Sequence, residues 1–314
     1  MSMPGAAATE RPRASGIPAD TARLMRLATY ASVTTALLLI LAKIVAYLLT
    51  DSVSMLSTML DSLLDAAASL VNLIAVRHAL TPADREHRFG HGKAEALAGL
   101  GQSTFIAGSA LFLFFQSASR LVTPQPVTNG AVGIGVMLFS MAMTLALVLF
   151  QRRVIQRTGS IAVSADSLHY VGDIGANLAV LAALVLSTQF GWSRSDPIFA
   201  IGVSFYIVFT AWQIARGAFD MLMDREMPDA ERKRIRAIVM ANPRVRNMHD
   251  LRTRRSGPHR FIQLHLEMDP NMRLTEAHEL SDEVEAAIQR EFPAAEVIIH
   301  EDPEGVNEGR QTFA

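Results

Sequence analysis

The chain has no cysteine among its 314 residues. That excludes a disulfide scaffold, a thiolate zinc finger and a cysteine nucleophile, and leaves the redox compartment open. Charge is scarce as well: 19% of residues are Asp, Glu, Lys or Arg, against about 25% in a typical soluble domain. The formal net charge is −1, so there is no polycation to hold nucleic acid. What is abundant is apolar: half of the residues are hydrophobic and the mean hydropathy is +0.24. The few charges are unevenly placed. Residues 27–224 hold 22 charged side chains, whereas the much shorter stretch 225–314 holds 31. The first density suits a bilayer and the second a soluble domain.

A membrane-spanning helix needs about 20 mostly apolar residues. Six such runs are present, at about 27–50, 53–76, 96–119, 130–151, 161–188 and 197–219. Turn chemistry separates them: Thr50-Asp51-Ser52, the Thr123-Pro124-Gln125-Pro126 cluster with Asn129-Gly130, and Asp196-Pro197, read as an N-cap followed by proline at the first helical position. Lys and Arg near the span ends are biased to one side. Arg11, Arg13, Arg23, Arg26, Arg77, Arg85, Arg88, Lys93, Arg152, Arg153 and Arg157 lie there, against Arg120 and Arg194 on the other. By the positive-inside rule both termini are cytoplasmic. The leading residues do not have the pattern of a cleaved signal peptide.

The remainder reads as helix 229–241, strands 247–256 and 259–268 joined at Gly257-Pro258, helix 275–292 with Thr275 as N-cap, and strand 295–300. The expected fold is therefore a membrane all-α domain of six transmembrane helices followed by a small cytoplasmic α/β domain of αββαβ, metallochaperone or ferredoxin-like, order. The expected boundaries are a flexible N-terminus over 1–22, the six-helix domain over 23–224, the α/β domain over 225–304 and a disordered tail over 305–314.

Ionisable groups inside spans are costly, and by default they mark function. The second span holds Asp61 and Asp65, and the fifth holds His169 and Asp173. Each pair is spaced i, i+4, so each lies on one helix face. Two carboxylates one turn apart in a low dielectric repel strongly unless a proton or a cation neutralises them. Three carboxylates and one imidazole form a set suited to a tetrahedral divalent metal. Asp166, one turn before His169, reads as a capping or water-facing residue, and Lys43 as a snorkelling side chain. Between spans two and three, Asp84, His87 and His91 have the spacing of a metal site on a helical turn. Five of the nine histidines fall in the tail: His249, His259, His265, His278 and His300, the last two residues before Asp302. On the second tail strand Phe261, Gln263, His265 and Glu267 alternate with Ile262, Leu264, Leu266 and Met268.

These residues resemble the cation diffusion facilitator family, closest to its bacterial ferrous-iron/zinc efflux type, over about Arg23 to Pro303. The resemblance is carried by Asp61-Ser-Leu-Leu-Asp65, by Asp84 to Glu95, by His169-Tyr-Val-Gly-Asp173 and by Leu222-Met-Asp-Arg225. In the tail it is carried by His249 to Arg254, Ser256-Gly-Pro258, Phe261 to Met268 and Ile298 to Pro303. It implies a transport site of Asp61, Asp65, His169 and Asp173, and a loop site of Asp84, His87 and His91. It also implies a binuclear site of His249, His265, His278, His300 and Asp302, with Asp302 bridging, and a charge interlock between Lys93 and Asp224. It implies a homodimer in the bacterial inner membrane that is a secondary transporter and not an enzyme. That transporter expels zinc, and also cadmium and ferrous iron, in exchange for protons, with zinc as a regulatory ligand as well. His78 and His259 match no ligand of the family and read as surface residues. The alternative is a membrane metal sensor or organising protein that binds without transporting. A channel and an intramembrane metalloprotease are more distant; the His-Glu-x-x-His of the latter is absent.

Overall fold

A computed structural model describes residues 17–50, 53–122, 131–190 and 195–305. Six long helices come first: α1 (Ala19–Thr50), α2 (Val53–Ala79), α3 (Lys93–Val122), α4 (Ala131–Thr158), α5 (Ile161–Phe190) and α6 (Ser195–Leu222). At 27 to 32 residues they run about 40–48 Å, longer than the roughly 30 Å hydrocarbon layer. Among the described residues α1, α3, α4 and α6 are both long and apolar enough to cross a bilayer. The other two, α2 and α5, carry the paired ionisable residues. Large apolar side chains such as Leu48, Phe112, Phe115, Phe209 and Trp212 point outward, while Ser32, Ser69, Gln102 and Gln151 are buried. This inversion is expected when the outer solvent is lipid and helices associate through small and polar contacts.

Helix ends depart from the sequence reading in ways the chemistry explains. α1 begins at Ala19, so Arg23 and Arg26 lie on the helix and not before it; its start protrudes from the apolar stretch. α6 begins at Ser195, so Asp196 and Pro197 both sit inside its first turn, where a missing N–H costs nothing. The turn clusters at 51–52 and 123–130 lie outside the described residues, as do 1–16 and 306–314 of the two expected flexible ends. Between α4 and α5, Gly159 takes φ +64° and donates its N–H to the Ile155 carbonyl at 2.8 Å, closing α4. Ser160 then accepts the Val163 N–H at 3.1 Å and donates to Glu95, whose buried carboxylate also accepts the Ala162 N–H at 3.3 Å. Otherwise orphaned donors at the start of α5 are thereby satisfied from α3.

A second compact unit starts at Asp224. It comprises α7 (Asp229–Met240), β1 (Asn247–Ser256), β2 (His259–Met268), α8 (Leu274–Glu291) and β3 (Ala295–Pro303), with sheet order β1-β2-β3. The β1–β2 turn has positive φ at Gly257 followed by proline, the sign pattern of a type II′ hairpin turn. β2 runs parallel to β3, with His265 opposite His300 and Glu267 opposite Asp302. Ile262, Leu264, Leu266 and Met268 are buried against Ile235 and Val239 of α7 and Leu280, Val284 and Ile288 of α8. α8 starts at Leu274, not after Thr275: Glu276 accepts the Arg273 backbone N–H at 3.1 Å, fixing the helix start earlier.

Candidate metal centres

α2 packs against α5, and this contact brings the two ionisable pairs together. His169 Nε2 lies 2.9 Å from Asp65 Oδ1 and 3.9 Å from Asp173 Oδ2. One ligand atom from each of the three lies within 4.8 Å of the others. The Asp61 side chain lies outside the described residues; its backbone sits one turn before Asp65 on α2. The His169 side chain is 10% exposed, that of Asp65 21% and that of Asp173 40%, so a cation would meet two oxygens and a nitrogen in a partly buried set.

Asp166 is neither a cap nor water-facing. It is fully buried and accepts Gln151 Nε2 at 2.7 Å, Ser69 Oγ at 3.3 Å and Gln102 Nε2 at 3.4 Å. Ser69 also bonds the Tyr170 hydroxyl at 3.0 Å and Ser32 Oγ at 2.9 Å. The network takes one polar residue each from α1, α2, α3 and α4 and two from α5. The signal was available as isolated Ser and Gln residues within apolar spans, although their spacing does not say which faces meet. Lys43, expected to snorkel, instead donates its Nζ to Ser62 Oγ on α2 at 2.6 Å, across the α1–α2 contact.

The loop cluster forms as expected but by other means. Residues 80–92 are not helical. Asp84 Oδ1 accepts the backbone N–H of His87 at 2.6 Å and of Glu86 at 2.9 Å, an Asx-type turn. Those two N–H groups, His87's foremost, hold the Asp84 carboxyl below the usual carboxylate range. Gly90, at φ +78°, bends the chain back and sets His91 Nε2 3.3 Å from Asp84 Oδ2, while His87 Nδ1 lies 3.4 Å from Asp84 Oδ1. His91 is buried, and its Nδ1 faces the Thr81 carbonyl at 3.4 Å.

In the α/β unit Asp302 gathers three imidazoles. His265 Nδ1 lies 2.8 Å and His249 Nε2 3.3 Å from Oδ2, and His300 Nε2 lies 3.2 Å from Oδ1. Asp302 itself is buried. His278 is not among the ligand atoms that converge; it lies on α8, 3.6 Å from Asp282. Two carboxylates that sequence reading passed over adjoin the cluster. Glu267 Oε1 is 2.9 Å from His249 Nδ1, and Asp250 Oδ2 is 3.8 Å from His265 Nε2. Glu267 was discoverable, being two residues from His265 on the polar face of β2. Asp250 takes φ +46°, which no periodicity signals. His259 is half-buried rather than a surface residue, and that burial pushes its imidazole below the usual range. Of the expected interlock, Lys93 Nζ donates to the Leu222 carbonyl at 3.3 Å and Asp224 pairs with Arg254 at 3.3 Å.

Comparison with known proteins shows the family. Residues 29–223 match the family described as the cation efflux transmembrane domain, and residues 227–304 match the cation efflux protein cytoplasmic domain. The cation-efflux pump FieF of Klebsiella pneumoniae is 52% identical over 284 residues, 90% of this chain and 94% of that protein. The FieF pump of Salmonella paratyphi A (strain ATCC 9150 / SARB42) is 52% identical over 291 residues, 92% and 97% respectively. The metal-bound C-terminal domain of the CzcD transporter from Thermotoga maritima is 31% identical. That match covers 26% of this chain and all of that one, at a TM-score of 0.25. The chain is an integral membrane protein of the cation diffusion facilitator family, a cation efflux transporter similar to FieF.

Proposed function

We propose that the protein expels zinc, and also cadmium and ferrous iron, from the cytoplasm by proton antiport across the bacterial inner membrane. The observation that carries this reading is the convergence of Asp65, His169 and Asp173 from two packed helices, with ligand atoms within 4.8 Å of one another. Asp61, one turn before Asp65, supplies the fourth ligand. Metal ligands must be deprotonated, so metal binding releases protons. Antiport then follows from one shared site. Facing the cytoplasm, neutral His169 and the ionised carboxylates take the cation; facing outward, His169 and a carboxylate take protons and release it. An unperturbed imidazole titrates near 6.5, which makes histidine the natural exchange group. The helices rock so that the site opens to one side at a time.

The loop set of Asp84, His87 and His91 is a second binding site. The α/β unit forms the homodimer contact and a regulatory site from His249, His265, His278, His300 and Asp302. Its ion shifts the equilibrium of the helices by binding one state better. Both termini face the cytoplasm.

The test uses the full chain in proteoliposomes under an imposed pH gradient, with zinc flux and lumenal pH followed together. Wild type couples the two, whereas Asp65→Ala and His169→Ala each abolish zinc-driven proton flux. Flux that survives either substitution overturns the four-ligand site. A wild-type protein that binds zinc but moves none overturns transport in favour of sensing.

A further inference from the structure

His78 sits in the last turn of α2 and belongs to none of the ligand sets above. The folded loop nevertheless brings His91 against it: the ring centroids are 4.6 Å apart at an interplanar angle of 64°. On its other side His91 meets His87, also at 4.6 Å between centroids and at 47°. His91 is the fixed member of this trio. It is buried, and its Nδ1 faces the Thr81 carbonyl, so the proton belongs on Nδ1 and the lone pair on Nε2, which is 3.3 Å from Asp84. His78 and His87 are exposed and can turn about their side-chain bonds toward that lone pair.

Asp84, His87 and His91 supply three ligands, and a closed tetrahedral site needs four. We infer that His78 is the fourth, so that the loop holds a divalent cation in a set of one carboxylate and three imidazoles. This rests on the reading of Asp84, His87 and His91 as a metal site. The distances permit it. A zinc–nitrogen bond of about 2.0–2.1 Å, extended from ring nitrogen to ring centre, places the ion about 3.2 Å from each centroid. Two rings sharing an ion at the tetrahedral angle then have centroids about 5.2 Å apart. Both observed separations lie about half an ångström short of that; His78, which is not yet among the ligand atoms within 4.8 Å of one another, joins them by turning about its side-chain bonds. A donor set rich in imidazole favours zinc or cobalt over magnesium or calcium. The ion would also tie the end of α2, the helix that carries Asp61 and Asp65, to the residues immediately before α3.

The test uses full-length protein in detergent with the other two sites disabled by Asp65→Ala and by His265→Ala combined with Asp302→Asn. Zinc affinity is measured by competition with a chelating dye, and the cobalt form is read by its visible d–d absorption. In this background His91→Ala removes the remaining zinc, while His78→Ala and His78→Gln each weaken binding by about tenfold or more. In both His78 variants the cobalt absorption also shifts, as water takes the place of one imidazole. His78→Gln keeps the size and polarity of the helix end, so it decides the matter if the alanine variant fails to fold. Zinc affinity within about twofold of the background in His78→Gln, with His91→Ala still abolishing binding, overturns the role of His78 alone. Unchanged binding in His91→Ala overturns the loop site itself, and His78 with it.

Discussion

Replacing Asp302 by asparagine tests the metal site proposed for the α/β unit. Asp302 is the shared neighbour of His249, His265 and His300, at 3.3, 2.8 and 3.2 Å. Asparagine keeps the shape and one acceptor oxygen but removes the charge and one of the two oxygens a bridging ligand needs. Without zinc, the exchange of charge-assisted for neutral hydrogen bonds costs about 1 kcal/mol. With zinc the difference grows. At a free zinc concentration of about 100 times the dissociation constant, wild type gains about 2.7 kcal/mol, a roughly hundredfold slowing of exchange from open states. Loss of a bridging ligand weakens affinity by about a hundredfold, at least the cost of losing an outer-shell partner. The same zinc concentration then equals the dissociation constant, and the gain falls to about 0.4 kcal/mol, or twofold. The assay is hydrogen–deuterium exchange on the full chain, followed in peptides spanning 261–268, whose Leu264 and Leu266 lie in the core. Equal zinc-induced protection in Asp302→Asn and wild type refutes the assignment of Asp302 as the central ligand.

Glu95→Ala strands the Ser160 hydroxyl and the Ala162 N–H that the buried carboxylate accepts; it should cost about 1–3 kcal/mol per buried orphan, seen as a lower melting temperature in detergent. Asp166→Ala leaves the Gln151 and Gln102 donors unanswered, at about 1–3 kcal/mol each, while Ser69 keeps Tyr170 and Ser32 as partners. Asp166→Asn should recover part of that loss; a melting temperature equal to wild type in Asp166→Ala would show that the network is not fully formed. The half-buried His259 has its folded-state pKa held down by burial. The unfolded chain therefore binds more protons, and stability rises with pH up to the ordinary imidazole value near 6.5. Below the folded-state pKa the full penalty applies, and above about 6.5 it is gone. His259→Gln should slow exchange in β2 relative to wild type at pH 5 and leave it unchanged at pH 8. A difference of the same size at both pH values counts against the burial account.

How much of this was legible in the sequence depended on whether periodicity reached the question. The six spans and the order of α7, β1, β2, α8 and β3 follow from runs and alternations that local physics dictates. Even so, helix ends moved by several residues: α1 begins at Ala19 and α4 runs on to Thr158, whereas α5 starts at Ile161 as expected. Asp65, His169 and Asp173 were identifiable because i, i+4 spacing fixes a face within one helix, and a costly charge in lipid needs a reason. Asp166 lies one turn from His169 in the same helix, yet spacing misplaced it, because its environment is set by Gln102, Ser69 and Gln151 on three other helices. The loop residues illustrate the same limit from the other direction. Their three-and-four spacing brought Asp84, His87 and His91 together through an Asx turn and a glycine at positive φ rather than through a helix. Within a single helix, spacing predicts which residues share a face; across a loop it predicts only that they can meet. His78 shows what is then missed: it stands 13 positions before His91, outside any local pattern, and only the folded return of the chain sets the two rings side by side. A site assembled from two helix ends and their connection is therefore under-read by spacing alone. Its complete ligand set has to be sought among the neighbours that the turn delivers.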